Sequence, residues 1–159
     1  MKNVDQTELV PELITWKEHN GEDFDLEAWI SCVGDFEHAI GYLEVFWPNF
    51  YEMHGCIFVG SIPDEQNYQS WVGGTDGDKS KIESVLNHVH IMDLFQVGGS
   101  LSPTKKQIIY LGNKIKEMWY VKCSAQFPGR SICVDFYTGD DNDLLEYQVT
   151  LYQTHHEKS

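Results

Sequence analysis

The segment Asn87-His88-Val89-His90-Ile91-Met92-Asp93 places two imidazoles and a carboxylate close together, the donor types that a divalent metal takes. Backbone geometry decides whether they act jointly. On a strand His88 and His90 share a face, whereas on a helix residues two apart lie about 200° apart. The apolar series Ile82, Val85, Val89 and Met92 runs straight through both histidines and favours a helix, with the two rings half-buried and hydrogen-bonded. If a metal is held here, His88, His90 and Asp93 are its ligands, with His54 and His38 as candidates to complete the set. The chain is then a small metal-dependent enzyme or metal-binding protein.

Other chemistry leaves little trace. Cys32, Cys56, Cys123 and Cys133 are widely spaced, with no Cys-x-x-Cys pair and no disulfide framework implied. Cys56 and Cys133 sit in apolar strand-like runs, where a thiol behaves as a small hydrophobe. Gly73-Gly74-Thr75-Asp76-Gly77 lacks the Lys-Ser/Thr ending of a phosphate-binding loop and lies among carboxylates. Asp140, Asp141 and Asp143 miss the Gly and Glu that a calcium loop needs, so they read as a solvated turn. No cofactor is implied.

Charge is more informative. Between Lys17 and Lys79 there is no Lys or Arg, yet the interval holds thirteen carboxylates, within a chain of net charge −14. Residues 104–130 are the converse, with six basic side chains against Glu117 alone. An acidic surface repels phosphate backbones and anionic lipid, so neither nucleic acid nor membrane is an expected partner. A basic protein is, because complementary charge steers encounter and fixes orientation. Aromatic residues crowd the same region, from Tyr42, Phe46 and Trp47 to Phe50, Tyr51 and Phe58. Phe46, Trp47 and Phe58 read chiefly as core, while Phe50 and Tyr51 fall in an irregular link, where loops tend to carry function. The candidate binding set is therefore Glu37, Glu44, Trp47, Phe50, Tyr51 and Glu52. Against it stands the plainer reading, in which these carboxylates are a solvated helix surface partly neutralised by the lysine-bearing helix that starts near Pro103.

The elements that position these residues follow from periodicity and punctuation. Helices are expected from Pro11 to His19, from Asp25 to Gly34, and from Asp35 to Trp47 with Phe36, Ile40, Leu43 and Trp47 as its inward stripe and Glu37 and Glu44 outward. Asn49 to Gly55 reads as irregular and Cys56-Ile57-Phe58-Val59 as a buried strand. A short helix follows Pro63, with Tyr68, Trp71 and Val72 inward. Ser80-Lys81-Ile82-Glu83 has capping-box spacing and opens a helix that extends toward Phe95 before Gly98-Gly99. A long helix runs from Pro103 to Ala125. Ser131 to Tyr137 and Leu144 to Tyr152 alternate strictly, as two antiparallel strands do. The order gives an α+β fold, amphipathic helices on a small antiparallel sheet with a C-terminal hairpin, in a single domain over residues 1–159. Because a lone hairpin is marginal, Cys56 to Val59 is expected as its third strand and the Pro103 helix as its cover.

In size, acidity and aromatic content the chain is similar to bacterial immunity-type proteins that neutralise toxins, a likeness of composition that rests on no motif. It implies a non-catalytic, cytoplasmic binding protein for a basic partner. No secretory h-region and no apolar run of membrane length occurs, in line with that expectation. A self-associating structural component, using the aromatic link as its surface, is the remaining reading.

Overall fold

The computed structural model describes residues 5–94, 102–139 and 143–155. Asp140, Asp141, Phe95, Gly98 and Gly99 lie outside the described residues. The fold is α+β, with two small antiparallel sheets and, among the described residues, eight α-helices. The chain divides into two compact units, residues 1–42 and 43–159.

The first unit is helical. Helix α1 (Gln6–Leu9) begins at Asp5, and α2 (Glu12–Asn20) begins at Pro11, whose fixed φ suits a helix start. Helix α3 (Leu26–Val33) is capped as its sequence requires, Asp25 accepting from the Ala28 amide at 2.8 Å. Leu13 is buried, and Trp16 stacks on Phe24 with ring centres 5.5 Å apart. Helix α4 (Phe36–Phe46) opens in this unit, where the Asp35 carboxylate takes the His38 amide at 2.9 Å, and ends in the second.

The second unit holds both sheets. Strands β1 (Phe50–Met53) and β2 (Cys56–Val59) form a hairpin with Met53 opposite Cys56. His54 and Gly55 turn the chain at φ 54° and 80°, the left-handed pair that a two-residue hairpin loop demands. The stretch expected to be irregular is thus half of a hairpin. Helix α5 (Glu65–Gly74) follows, capped by Asp64, with Tyr68 buried. Helix α6 (Lys79–Leu86) leads to β3 (Val89–His90) and the single-turn α7 (Ile91–Leu94). Helix α8 (Lys105–Gln126) starts at a capping box made by Thr104 and Gln107. Strands β4 (Ile132–Tyr137) and β5 (Gln148–Gln153) pair antiparallel, with Ile132 opposite Gln153, and β3 joins the other side of β5.

The expected third strand therefore belongs elsewhere: β3 takes that place, and β2 stays in the first hairpin. Helix α8 is the cover, as expected. Its Ile108, Ile115, Trp119 and Cys123 pack with Val134, Val149, Leu151, Tyr147, Ile57 and Phe50 in one core. At Gly112 the helix backbone meets the Phe136 ring so closely that a Cβ would overlap it. Fully burying side chains of this size stabilises by about 1.5–3 kcal/mol each.

The hairpin and the second sheet are joined through side chains of α6. Glu83 and Asn87, four residues apart and both buried, face the β2 and β5 backbones. Glu83 accepts from the amides of Ile57 at 2.6 Å and Gln153 at 2.7 Å and from the Gln153 side-chain nitrogen at 2.6 Å. Asn87 accepts from the Val59 amide and donates to the Ile57 and Leu151 carbonyls. The capping box read at Ser80 and Glu83 is thereby displaced. Asp78 caps α6 instead, Ser80 donates to the Gln153 carbonyl, and Glu83 turns inward. These three donors at Glu83 are N–H groups, which an acceptor-only carboxylate satisfies. Glu83→Gln, which sets an NH2 against one of those donors, is expected to lower unfolding stability by about 1–3 kcal/mol in urea titration. Lys81→Ala on the outer face of the same helix is expected to stay within about 0.5 kcal/mol of the parent; equal effects of the two substitutions would contradict this account.

Candidate functional site

Helix α4 carries apolar side chains at Phe36, Ile40 and Leu43, a helical spacing continued by Trp47 just past its end. This stripe was expected to face the core. The structure leaves it in solvent, with Phe36 90%, Ile40 67%, Leu43 59% and Trp47 46% exposed. Ile30 and Val33 on α3 are exposed as well. Scattered exposed apolar residues are ordinary, but a run of large ones on one helix face is a candidate interaction surface. Glu37 and Glu44 are exposed on the same helix, as expected, and Asp35 sits at its start. The Asp35 carboxyl lies below its ordinary value, chiefly because it accepts from the His38 backbone.

The C-terminal end of α4 is held firmly. The Trp119 indole donates to the Val45 carbonyl at 2.9 Å, and Lys122 donates to the Trp47 carbonyl at 2.7 Å. These are carbonyls of a last turn, which lack partners within their own helix. The Lys122 ammonium also lies 5.6 Å from the Trp47 ring centre, a cation–π contact. Leu43 and Trp47 thus stand on a turn bolted to α8.

The aromatic link resolves into a period of two. Phe50 points inward and is 2% exposed, so it is a core residue and leaves the set of candidate anchors. Tyr51 points outward and is 38% exposed. Glu52 pairs with Arg130 at 2.5 Å, and Arg130 also reaches the Gln153 side chain. Lysines of α8 find carboxylates outside the acidic interval, Lys114 at Glu117 and Lys116 at Asp135. Within the acidic interval, Glu52 thus has its counter-charge from Arg130, which lies beyond that helix.

The histidine pair also departs from expectation. Helix α6 stops at Leu86 with Asn87 as its C-cap, and Val89 and His90 then pair with Val149 and Gln148. His88 and His90 are off the helix, with ring centres 5.4 Å apart and planes nearly perpendicular. Nδ1 of each ring meets a backbone carbonyl, His88 at Val85 and His90 at Leu145. Asp93 does not join them: among the described residues no three His, Cys, Asp or Glu side chains are grouped to hold a metal. His54 bonds Glu65 at 3.0 Å and His38 pairs with Asp35 at 3.2 Å, so each has a separate partner.

Sequence reasoning missed Glu83, Asn87 and Gln153 as buried polar residues. Their signal was faint: a polar pair at helical spacing beside Ile82 and Leu86, on a helix already explained by its cap. Among the described residues no helix is long and apolar enough to cross a membrane. No protein-family profile, no curated protein and no solved structure matches the chain.

Two of the four thiols, Cys56 and Cys123, are buried and poorly placed for nucleophilic chemistry. Burial pushes Cys56 up to about 11 and Cys123 up to about 12, and the Glu83 carboxylate adds to both. At pH 8 about one Cys56 in a thousand is thiolate. Iodoacetamide at pH 8 is expected to modify exposed Cys32 first and to reach Cys56 and Cys123 only after denaturation. Peptide mass spectrometry reads the order, and labelling of Cys56 or Cys123 at the rate of Cys32 in the folded protein would contradict it.

Proposed function

We propose that this chain is a non-catalytic binding module that engages a basic protein partner of the immunity or inhibitor type, with helix α4 as the docking element. The observation that supports it most is the exposed stripe of Phe36, Ile40, Leu43 and Trp47 on a helix that also presents Glu37 and Glu44. Apolar side chains at the centre of an interface supply affinity, and the carboxylates around them supply steering and register. The occupant follows from charge. No Lys or Arg lies in the sequence between Lys17 and Lys79, so a surface bearing lysines or arginines around an apolar centre meets favourable potential along α4 around Glu37 and Glu44, with Lys122 beside Trp47 as the basic group at its far end. A second copy docked symmetrically would set Glu37 and Glu44 against the same carboxylates. Tyr51 remains an outward-facing candidate, whereas the Glu52 carboxylate is already engaged by Arg130.

The test uses a synthetic amphipathic helix of leucine and lysine heptads as probe, beside the same peptide with glutamine for lysine. Binding to the lysine probe is expected to be tighter and to weaken as salt rises. Ile40→Ser with Leu43→Ser removes apolar contact without changing charge and is expected to weaken binding by roughly 10- to 100-fold. Glu37→Lys with Glu44→Lys is expected to weaken it further at low salt than at high salt. If the serine pair leaves affinity unchanged, the attraction is unspecific charge pairing and the α4 assignment fails. If the glutamine probe binds equally well, the basic-partner assignment fails.

A further inference from the structure

We propose that His88 and His90 together form a binding site for one divalent transition cation of the zinc, nickel and copper group. The site uses the two Nε2 atoms and leaves the remaining coordination positions open.

The tautomer comes first. A backbone carbonyl only accepts, so the Nδ1 of His88 at Val85 and the Nδ1 of His90 at Leu145 must each carry the proton. In the neutral rings the lone pair then lies on Nε2, the ligand form of imidazole. Histidines that bind metals have this same arrangement, one ring nitrogen donating to a carbonyl or carboxylate while the other takes the ion. Both rings are fixed in orientation by that bond, and they are fixed from different parts of the chain. His88 is held by the end of α6, and His90 by the turn that precedes β5.

Spacing comes second. An ion about 2.0–2.1 Å from each Nε2 lies about 3.2 Å from each ring centre, which puts two rings at a tetrahedral angle with centres about 5.2 Å apart. The observed separation is 5.4 Å. A right angle between ligands needs about 4.5 Å and a linear pair about 6.4 Å, so the ring-centre spacing is compatible with tetrahedral coordination, as it is with the edge-to-face contact the two rings make. His88 is exposed and His90 half-buried, so an ion can enter and water can fill the other positions. The net charge of −14 raises the local concentration of cations. Two protein ligands give a modest site.

Calorimetric titration of zinc chloride, and separately nickel chloride, into untagged, chelator-stripped protein tests the proposal. Nitrogen-15 spectra of the imidazoles are recorded in parallel. The expected result is one ion per chain, with His88 and His90 Nε2 resonances shifting on binding. His88→Ala or His90→Ala is expected to raise the dissociation constant roughly tenfold or more, while His54→Ala leaves it unchanged. One ion per two chains with a matching increase in mass by light scattering also supports the site, a second copy then filling the open positions. No uptake, or uptake unchanged when both histidines are alanine in protein shown by circular dichroism to be folded, overturns it.

Discussion

Five backbone groups on two strands, the amides of Ile57, Val59 and Gln153 and the carbonyls of Ile57 and Leu151, find their partners on two side chains of α6. Buried backbone groups left without partners would each cost a fraction of a small domain's whole stability. Glu83 and Asn87 therefore substitute for a strand. They let the β1–β2 hairpin and the three-stranded sheet approach one another without a shared ladder. They also close strand edges that would otherwise be open to foreign chains. Ser80 and the Ser84 carbonyl extend the same contact along β5, through Gln153 and Thr150. Most of what α8 covers depends on this junction, because Ile57 on one side and Val149 and Leu151 on the other enter one core.

The histidines follow directly on this junction. Asn87 is the C-cap of α6, and the chain passes at once into β3. The apolar series through Val89 and Met92 imitates a longer helix, but pairing of Val89 with Val149 and His90 with Gln148 prevails. The consequence for chemistry is direct. A helix would have held His88 and His90 on opposite sides, and the extended path brings their rings to 5.4 Å.

Local signals in the sequence were legible where the responsible interaction is local. Asp25 and Asp35 cap helices as their side chains dictate, the alternation predicts the pairing of β4 with β5 although Leu144–Glu146 turns out to be a 3-10 helix ahead of the strand, and the α+β class follows from element order. Signals that need a distant partner were not. Phe50 and Tyr51 look alike until β2 is beside them. Only the hairpin makes one inward and the other outward. Glu83 carries the spacing of a capping box, and nothing in its neighbours tells that β2 and β5 will claim it. The stripe on α4 is the plainest case. Periodicity says that a helix has an apolar face and is silent on what covers it.

That silence is also what gives α4 its interest. Its start is capped by Asp35 and its end is tied down through Val45 and Trp47 to Trp119 and Lys122, so the exposed face belongs to a helix ordered at both ends. An exposed apolar helix that orders only on contact would lose part of its binding energy to the entropy of folding. Here that loss has already been met at the C-terminal end by α8, whose Trp119 is itself buried in the main core. The core and the exposed turn that carries Leu43 and Trp47 are thus linked through two hydrogen bonds. A substitution such as Trp119→Phe, which keeps an aromatic ring of smaller size but removes the indole donor, is expected to loosen the last turn of α4 and weaken any docking there. Its cost to the core itself is expected to be smaller than that of an alanine substitution, about 3–5 kcal/mol.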